Sequence, residues 1–244
     1  MEETRRADRR FLIVVPVYNE ERSIAKVVEQ LKGRPSDCDV LYVNDGSKDR
    51  SGGILESLGC DVLHHPINLG YVEALRSGLA VALAQDYAGV VFFDADGQHR
   101  IEDLCSLVAY GREHPEVDVI IGSRYLAGQR AASPLRDLVA RTYSVLTAIL
   151  TGHRVKDVTS GLKFLSRRAC KAMYGFVLED GHAELIIYMC KHGLTIKELP
   201  IQVRSRESGS SMYRFSKLFL YPLRTTLLLL VAGFGAIGLR RNTR

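Results

Sequence analysis

Four short, nearly continuous apolar runs punctuate the first half of the chain: Phe11 to Val15, Val40 to Val43, Asp61 to His64 and Val90 to Phe93. Segments of helical periodicity lie between and after them, at Glu20 to Lys32, Ser51 to Leu58, Tyr71 to Ala84 and Ile101 to Glu113. Buried strands alternating with helices predict an α/β architecture: a mostly parallel sheet with helices on both faces. A fifth strand is expected at Val117 to Gly122. From Leu135 the rhythm changes to a helix through Leu150, a short strand near Leu162 to Leu165, a helix around His182 to Lys191 and a strand at Ile196 to Leu199. Arg204 to Tyr213, rich in Ser, Gly and Arg, predicts a mobile loop.

Beyond it the pattern turns strongly apolar. Leu218 to Leu239 contains one charge, Arg224, and the basic cluster Arg240, Arg241 and Arg244 closes the chain. As a helix, Thr225 to Leu239 would span roughly 22 Å, short of the ~30 Å hydrocarbon core. Adding Leu218 to Tyr221 would reach across if Arg224 snorkels. The expectation is a catalytic domain at 1–215 and a membrane-association segment at 216–244, with a buried helix or a dimer contact as the alternatives.

Composition narrows this picture a little. The 244 residues can bury one substantial core, and 25% charged with 46% hydrophobic residues excludes a disordered chain. The net charge of +5 leans toward polyanionic or phosphate-bearing partners. Five cysteines, widely spaced and without a CxxC pair, read as reduced core thiols in a cytosolic compartment.

In parallel α/β sheets, ligands bind beyond the carboxyl ends of the strands. Three polar loops fall there: Pro16-Val17-Tyr18-Asn19-Glu20, Asn44-Asp45-Gly46-Ser47 and Asp94-Ala95-Asp96-Gly97-Gln98-His99. Asp94 and Asp96, with Gln98 nearby, offer hard oxygen donors suited to Mg²⁺ or Mn²⁺ shared with a diphosphate; a plain Asx turn completed by Gly97 is the alternative. Asp45 is placed to accept hydrogen bonds from a base or ribose, or else Asp45 or Ser47 caps the next helix. Tyr18 is placed to stack on a base and Glu20 to accept from it, or Glu20 simply opens a helix. Arg124, Arg136, Lys163, Arg204 and Arg206 lie in or beside loops, where guanidinium groups clamp phosphate or are merely solvated. No G-x-G-x-x-G follows any of the predicted strands, and G-x-x-x-x-G-K-[ST] is absent, which disfavours a dinucleotide oxidoreductase or P-loop NTPase. Dispersed arginines without an aromatic-basic platform argue against nucleic acid as a partner.

Taken together, PVYNE, NDGSKD and DADGQH, in that order and spacing, resemble family 2 glycosyltransferases of the GT-A (Rossmann-like) fold, and most of all the dolichyl-phosphate or polyprenyl-phosphate mannosyltransferases and their glucosyl relatives. The likeness runs from about Phe11 to Ser211. It continues through Gly122-Ser123-Arg124-Tyr125, Asp157 to Lys163, Glu184 and Arg206-Glu207-Ser208-Gly209-Ser210-Ser211. It implies a GDP- or UDP-sugar donor held by Pro16, Tyr18, Glu20, Asp45, Asp94 and Ala95, and a divalent cation on Asp94, Asp96 and Gln98. A polyprenyl-phosphate acceptor would be held by Arg124, Arg136, Lys163, Arg206 and Ser211. Asp96, Arg124, Arg206 and Glu184 form the implied catalytic set for an inverting transfer at the cytosolic face of a membrane. For a hydroxyl acceptor instead, Asp157 and Glu184 are the candidate bases.

Overall fold

The computed structural model describes residues 10–130, 134–175 and 183–204. Seven strands form a single sheet: β1 (Phe11–Val17), β2 (Cys38–Asn44), β3 (Val62–His64), β4 (Gly89–Phe92), β5 (Val119–Ser123), β6 (Lys163–Ser166) and β7 (Ile196–Pro200). Their spatial order is β3-β2-β1-β4-β6-β5-β7. β1 is parallel to β2 and β4, and β5 to β7, whereas β6 runs antiparallel to both of its neighbours. The helices are α1 (Ile24–Leu31), α2 (Ser51–Ser57), α3 (Tyr71–Ala84), α4 (Ile101–Glu113), α5 (Pro134–Thr151), α6 (Arg167–Tyr174) and α7 (Ala183–Lys191).

Alternation along the central strands divides the core in two. Leu12, Val14, Val43, Val90 and Phe92 join residues of α3, α6 and α7 on one face. Phe11, Ile13, Val15, Val91 and Phe93 join residues of α1, α2 and α4 on the other. Each such side chain, fully buried, contributes roughly 1.5–3 kcal/mol of transfer free energy, so both halves of the sandwich hold β1 and β4 in place. α3 lies so close to β1 that a Cβ on Gly78 would stand 2.4 Å from Val14 Cγ1. Only glycine fits that crossing.

Because β2 and β4 flank β1 on opposite sides, the connection direction reverses between β1 and β4. A crevice opens at such a switch point, beyond the carboxyl ends of the strands. The loops after β1, β2 and β4 border it.

The elements expected from periodicity are present, with three differences. Helix α1 starts at Ile24 rather than Glu20, because residues 20–23 form a turn in which Ser23 Oγ donates to Glu20 Oε2 at 2.8 Å. Helix α6 has no counterpart in the sequence reading. Its eight residues are strongly basic, yet Ser166 Oγ caps Ala169 N and the face carrying Ala169, Cys170 and Met173 is buried. Finally, β6 enters the middle of the sheet in reverse. Among the described residues no helix is long and apolar enough to cross a membrane; the loop from residue 205 and the segment 216–244 lie outside the described residues.

Candidate active site

The first two loops are laced together. Asn19, in the left-handed region at φ 56°, accepts from Lys48 N through its Oδ1 at 2.8 Å, while its own N–H donates to Ser47 Oγ. Asn tolerates that backbone region better than other side chains. Glu20 N donates to Ser51 Oγ at 2.8 Å, and Glu21 N to Asp49 Oδ2 at 3.1 Å. Between these loops and the one after β3 lies a cavity of about 500 Å³, lined by Tyr18, Asn44, Gly46, Ser47, Lys48, His65, Pro66, Ile67 and Asn68. Its size suits a nucleobase with part of a ribose. Pro16 is half-buried within β1, opposite Val43.

Asp45, expected as a base or ribose ligand, is turned into the domain. Its side chain is 3% exposed, and each oxygen already accepts two hydrogen bonds. Oδ1 accepts from His65 Nδ1 at 2.7 Å and Leu69 N at 2.8 Å; Oδ2 accepts from Asn68 Nδ2 at 2.8 Å and Gly70 N at 2.9 Å. Asp45 therefore straps the cavity wall to β2 from inside. Nor does it or Ser47 cap α2: Asp49 accepts the Ser51 amide at 2.9 Å and its hydroxyl at 2.6 Å.

On the other side of the switch point stands the loop after β4. Asp94 keeps 28% of its side-chain exposure at the crevice. Tyr71 Oη donates to its Oδ1 at 3.1 Å, and His99 Nε2 stands 3.5 Å from Oδ2. Burial pushes the Asp94 carboxyl up, but His99, the nearby Lys163 charge and the Tyr71 hydroxyl outweigh it and hold the group below its usual range. Asp96 Oδ1 accepts from Gln98 N at 3.0 Å with Gly97 at φ 73°, so the Asx turn and a partly exposed carboxylate coexist. Ala95 is buried and contributes only backbone to the crevice. The Gln98 amide, expected at a metal, donates to Arg204 O at 3.0 Å, while Arg204 N returns a bond to Gln98 O.

Two carboxylates on one turn suit a hard divalent cation that takes its other ligands from a diphosphate and water. Among the described residues no group of three or more His, Cys, Asp or Glu side chains is placed to hold a metal ion. Asp94 is backed so closely by Gly161 that a Cβ there would meet Oδ2 at 1.8 Å.

The expected acceptor residues are more deeply committed. Arg124 Nε and Nη2 reach Asp157 Oδ2 and Oδ1 at 2.7 and 3.2 Å, and Arg124 N adds a third bond at 3.0 Å. Burial lowers the Arg124 pKa, but the Asp157 charge and hydrogen bonds raise it overall. Asp157 is fully buried and also accepts from Thr159, so its carboxylate is engaged on every side by Arg124 and Thr159. Lys163 is buried in β6, where its ammonium donates to Ser160 O and its charge faces Asp94 rather than the outer crevice. Arg136 and Glu184 fall in the first turns of α5 and α7, with their side chains outside the described residues; Arg206 and Ser211 lie outside altogether.

Four side chains that matter to this geometry, His65, Asn68, Tyr71 and His99, escape a reading by motif. His65 and His99 lack zinc spacing, and Asn68 and Tyr71 sit in or beside a helix start. Only the fold shows that the β3–α3 connection passes over Asp45.

The profile of glycosyl transferase family 2 matches residues 12–174, which takes in all three strand-end loops. An uncharacterized protein of Methanocaldococcus jannaschii is 33% identical over 208 residues, spanning 82% of this chain and 83% of its own. The polyprenol monophosphomannose synthase of Mycolicibacterium smegmatis is 28% identical over 220 residues, 85% of this chain and 82% of its own. Glucosyl-3-phosphoglycerate synthase from Mycobacterium tuberculosis, solved with Mn²⁺, uridine diphosphate and glucosyl-3-phosphoglycerate, superposes with a TM-score of 0.72 at 21% identity. That superposition covers 96% of this chain and 82% of the other, and it carries the fold. With residues 12–174 matched by the family profile and the architecture shared with a solved relative, the chain belongs to glycosyl transferase family 2 and has its GT-A fold.

Proposed function

We propose that this protein is an inverting hexosyltransferase that moves mannose or glucose from a GDP- or UDP-sugar to a polyprenyl phosphate at the cytosolic face of a membrane. The observation that carries this reading is the pairing, across one switch point, of a nucleobase-sized cavity with two crevice-facing carboxylates, Asp94 and Asp96.

In this reading Tyr18 and the 65–68 wall hold the base, and the Asn19–Ser47 and Lys48–Asn19 bonds keep the two loops from parting. Asp94 and Asp96 hold Mg²⁺ or Mn²⁺, which when bound neutralises charge on the departing diphosphate. The Mn²⁺ and uridine diphosphate of the mycobacterial structure support a divalent ion. Tyr71 and Gly161 fix the direction of Asp94, so the carboxylate is organised before ligand arrives.

A phosphate oxygen is anionic near neutral pH and attacks without a strong base, provided it is placed in line with the leaving group. A hydroxyl acceptor would need a base. Asp157, one candidate for that role, is spent on Arg124, and this favours the phosphate acceptor. The names of relatives point the same way, among them a polyprenol monophosphomannose synthase and an undecaprenyl-phosphate mannosyltransferase. The acceptor phosphate is assigned to Arg136, Arg206 and Ser211, and membrane association to segment 216–244.

Incubation with Mn²⁺, labelled nucleotide sugars and polyprenyl phosphate should yield labelled lipid. Failure to label lipid with any common GDP- or UDP-sugar would overturn the reading. A thermal-shift screen of UDP and GDP with and without Mn²⁺ identifies the base independently of turnover.

A further inference from the structure

Asp45, His65 and Ser77 stand in line inside the domain, with His65 Nδ1 2.7 Å from Asp45 Oδ1 and His65 Nε2 2.9 Å from Ser77 Oγ. A carboxylate only accepts, so Nδ1 carries a proton, and in the neutral ring Nε2 then accepts from the Ser77 hydroxyl. The spacing is that of a hydrolytic triad, but the arrangement is not a reaction centre. Ser77 sits inside α3 with its hydroxyl given to His65, and it is His65, not Ser77, that lines the cavity.

What the line does is continue. The remaining Asp45 bonds go to Asn68 and to the amides of Leu69 and Gly70, the two residues that lead into α3. Gly70, at φ 102°, precedes the helix, and a left-handed backbone there favours glycine. Tyr71, the first residue of α3, places its hydroxyl on Asp94 Oδ1. An unbroken path of hydrogen bonds and one turn of backbone therefore joins the cavity wall to the carboxylate that faces the crevice.

Resting on the donor-site reading above, we propose that Ser77 and His65 are positioning residues: through Asp45 they set the start of α3, and with it the Tyr71 hydroxyl on Asp94, so that nucleotide and metal subsites stay in register. Without the Ser77 hydroxyl, the buried Nε2 loses its donor and nothing holds the imidazole in the tautomer that serves Asp45. The helix start then loosens, and Tyr71 no longer fixes Asp94.

Coupling between groups is measured by a double-mutant cycle. Calorimetric titration of UDP and GDP, each with and without Mn²⁺, would be run on wild type, Ser77→Ala, Tyr71→Phe, the double variant and Ser77→Thr. The proposal expects each single change to reduce the Mn²⁺-dependent gain in affinity by about 5-fold or more. The double variant should be no worse than the singles, and Ser77→Thr, which restores a hydroxyl, should recover the gain. Equal weakening with and without Mn²⁺, or losses that multiply in the double variant, would overturn it. Should Ser77→Ala fail to fold, His65→Asn keeps a donor for Asp45 while cutting the link to Ser77; an undiminished Mn²⁺ gain in that variant overturns the proposal equally. Wild type that binds neither nucleotide in a metal-dependent way refutes the donor-site reading and this inference with it. Wild type that does so, alongside unaffected variants, refutes this inference alone.

Discussion

Gly161→Ala tests the site where its geometry is tightest. The added Cβ would lie 1.8 Å from Asp94 Oδ2, 2.6 Å from Cγ and 2.9 Å from Oδ1, while ordinary contact begins at 3.4 Å. Something must retreat by about 1.6 Å. On one side is Asp94, pinned by Tyr71 and His99. On the other is the segment 157–162, pinned by the Arg124–Asp157 pair and by Gly122 N donating to Leu162 O at 3.0 Å. Overpacking of this kind costs about 1–3 kcal/mol of stability. Because φ at Gly161 lies outside the left-handed region, the cost is steric and not conformational. Asp94 is the single side chain in the way and the crevice offers it room, so it moves. A displacement near 1 Å at a catalytic group lowers rate by roughly 10²-fold, equivalent to about 2.7 kcal/mol of transition-state stabilisation. Initial rates of sugar transfer against Mn²⁺ concentration should show a higher metal requirement and a kcat reduced by that order. The Mn²⁺-dependent part of the nucleoside diphosphate thermal shift should shrink in parallel. A variant that stays folded, within threefold of wild type in both measurements, would refute the assignment of Asp94 to the metal.

Gly53→Ala is the matched control: it meets nothing within 4 Å inside α2, so it should be neutral or stabilise by about 0.5–1 kcal/mol in urea unfolding without changing kcat. Asp157→Ala strands the Arg124 guanidinium, whose side chain is 23% exposed, and should destabilise by about 3–5 kcal/mol. Its thermal unfolding should reveal this even with activity ignored, and an unchanged midpoint would sink the structural role given to the pair. Burial pushes the Cys170 thiol from 9.0 up to about 12. The folded chain keeps that proton while the unfolded chain releases it, so the contribution is complete below pH 9 and is lost as pH rises toward 12. Cys170→Ala should flatten the slope of stability against pH between 9 and 11 by about 1.4 kcal/mol per unit, and parallel slopes would refute the burial. Removal of 216–244 should abolish co-flotation with anionic vesicles, and retained flotation would move membrane binding elsewhere on the chain.

The sequence makes the three strand-end loops legible because they announce themselves: an apolar run fixes where the strand stops, and the polar residues that follow fall at the edge of the crevice. The limits of α3 and α4 could be read to the residue, since both have clear periodicity and polar flanks. Side-chain direction could not be read that way. Asp45 and Asp94 each follow a strand within two residues, yet one is sealed beneath the β3–α3 connection and the other remains open. The difference lies in residues 65–70, which carry no motif. Likewise the reversal of β6 is invisible locally, because Lys163–Ser166 reads the same in either direction of travel. Its consequence is large: it carries Lys163 and Gly161 in behind Asp94.

These differences sort the acidic side chains by what they can still do. The carboxylates of Asp45 and Asp157 are turned inward, toward His65, backbone amides and Arg124. Spending a carboxylate that way stabilises a loop but removes it from chemistry, since a buried charge already bonded gains nothing from a ligand. Asp94 and Asp96 keep access to the crevice, and Asp94 is held ionised there. What the described residues offer is therefore fixed negative charge suited to a cation, while the side chain of Glu184, the other candidate base, lies outside them. On the proposed function, an acceptor that arrives already ionised, as a phosphate does, suits such a site because it needs no strong base.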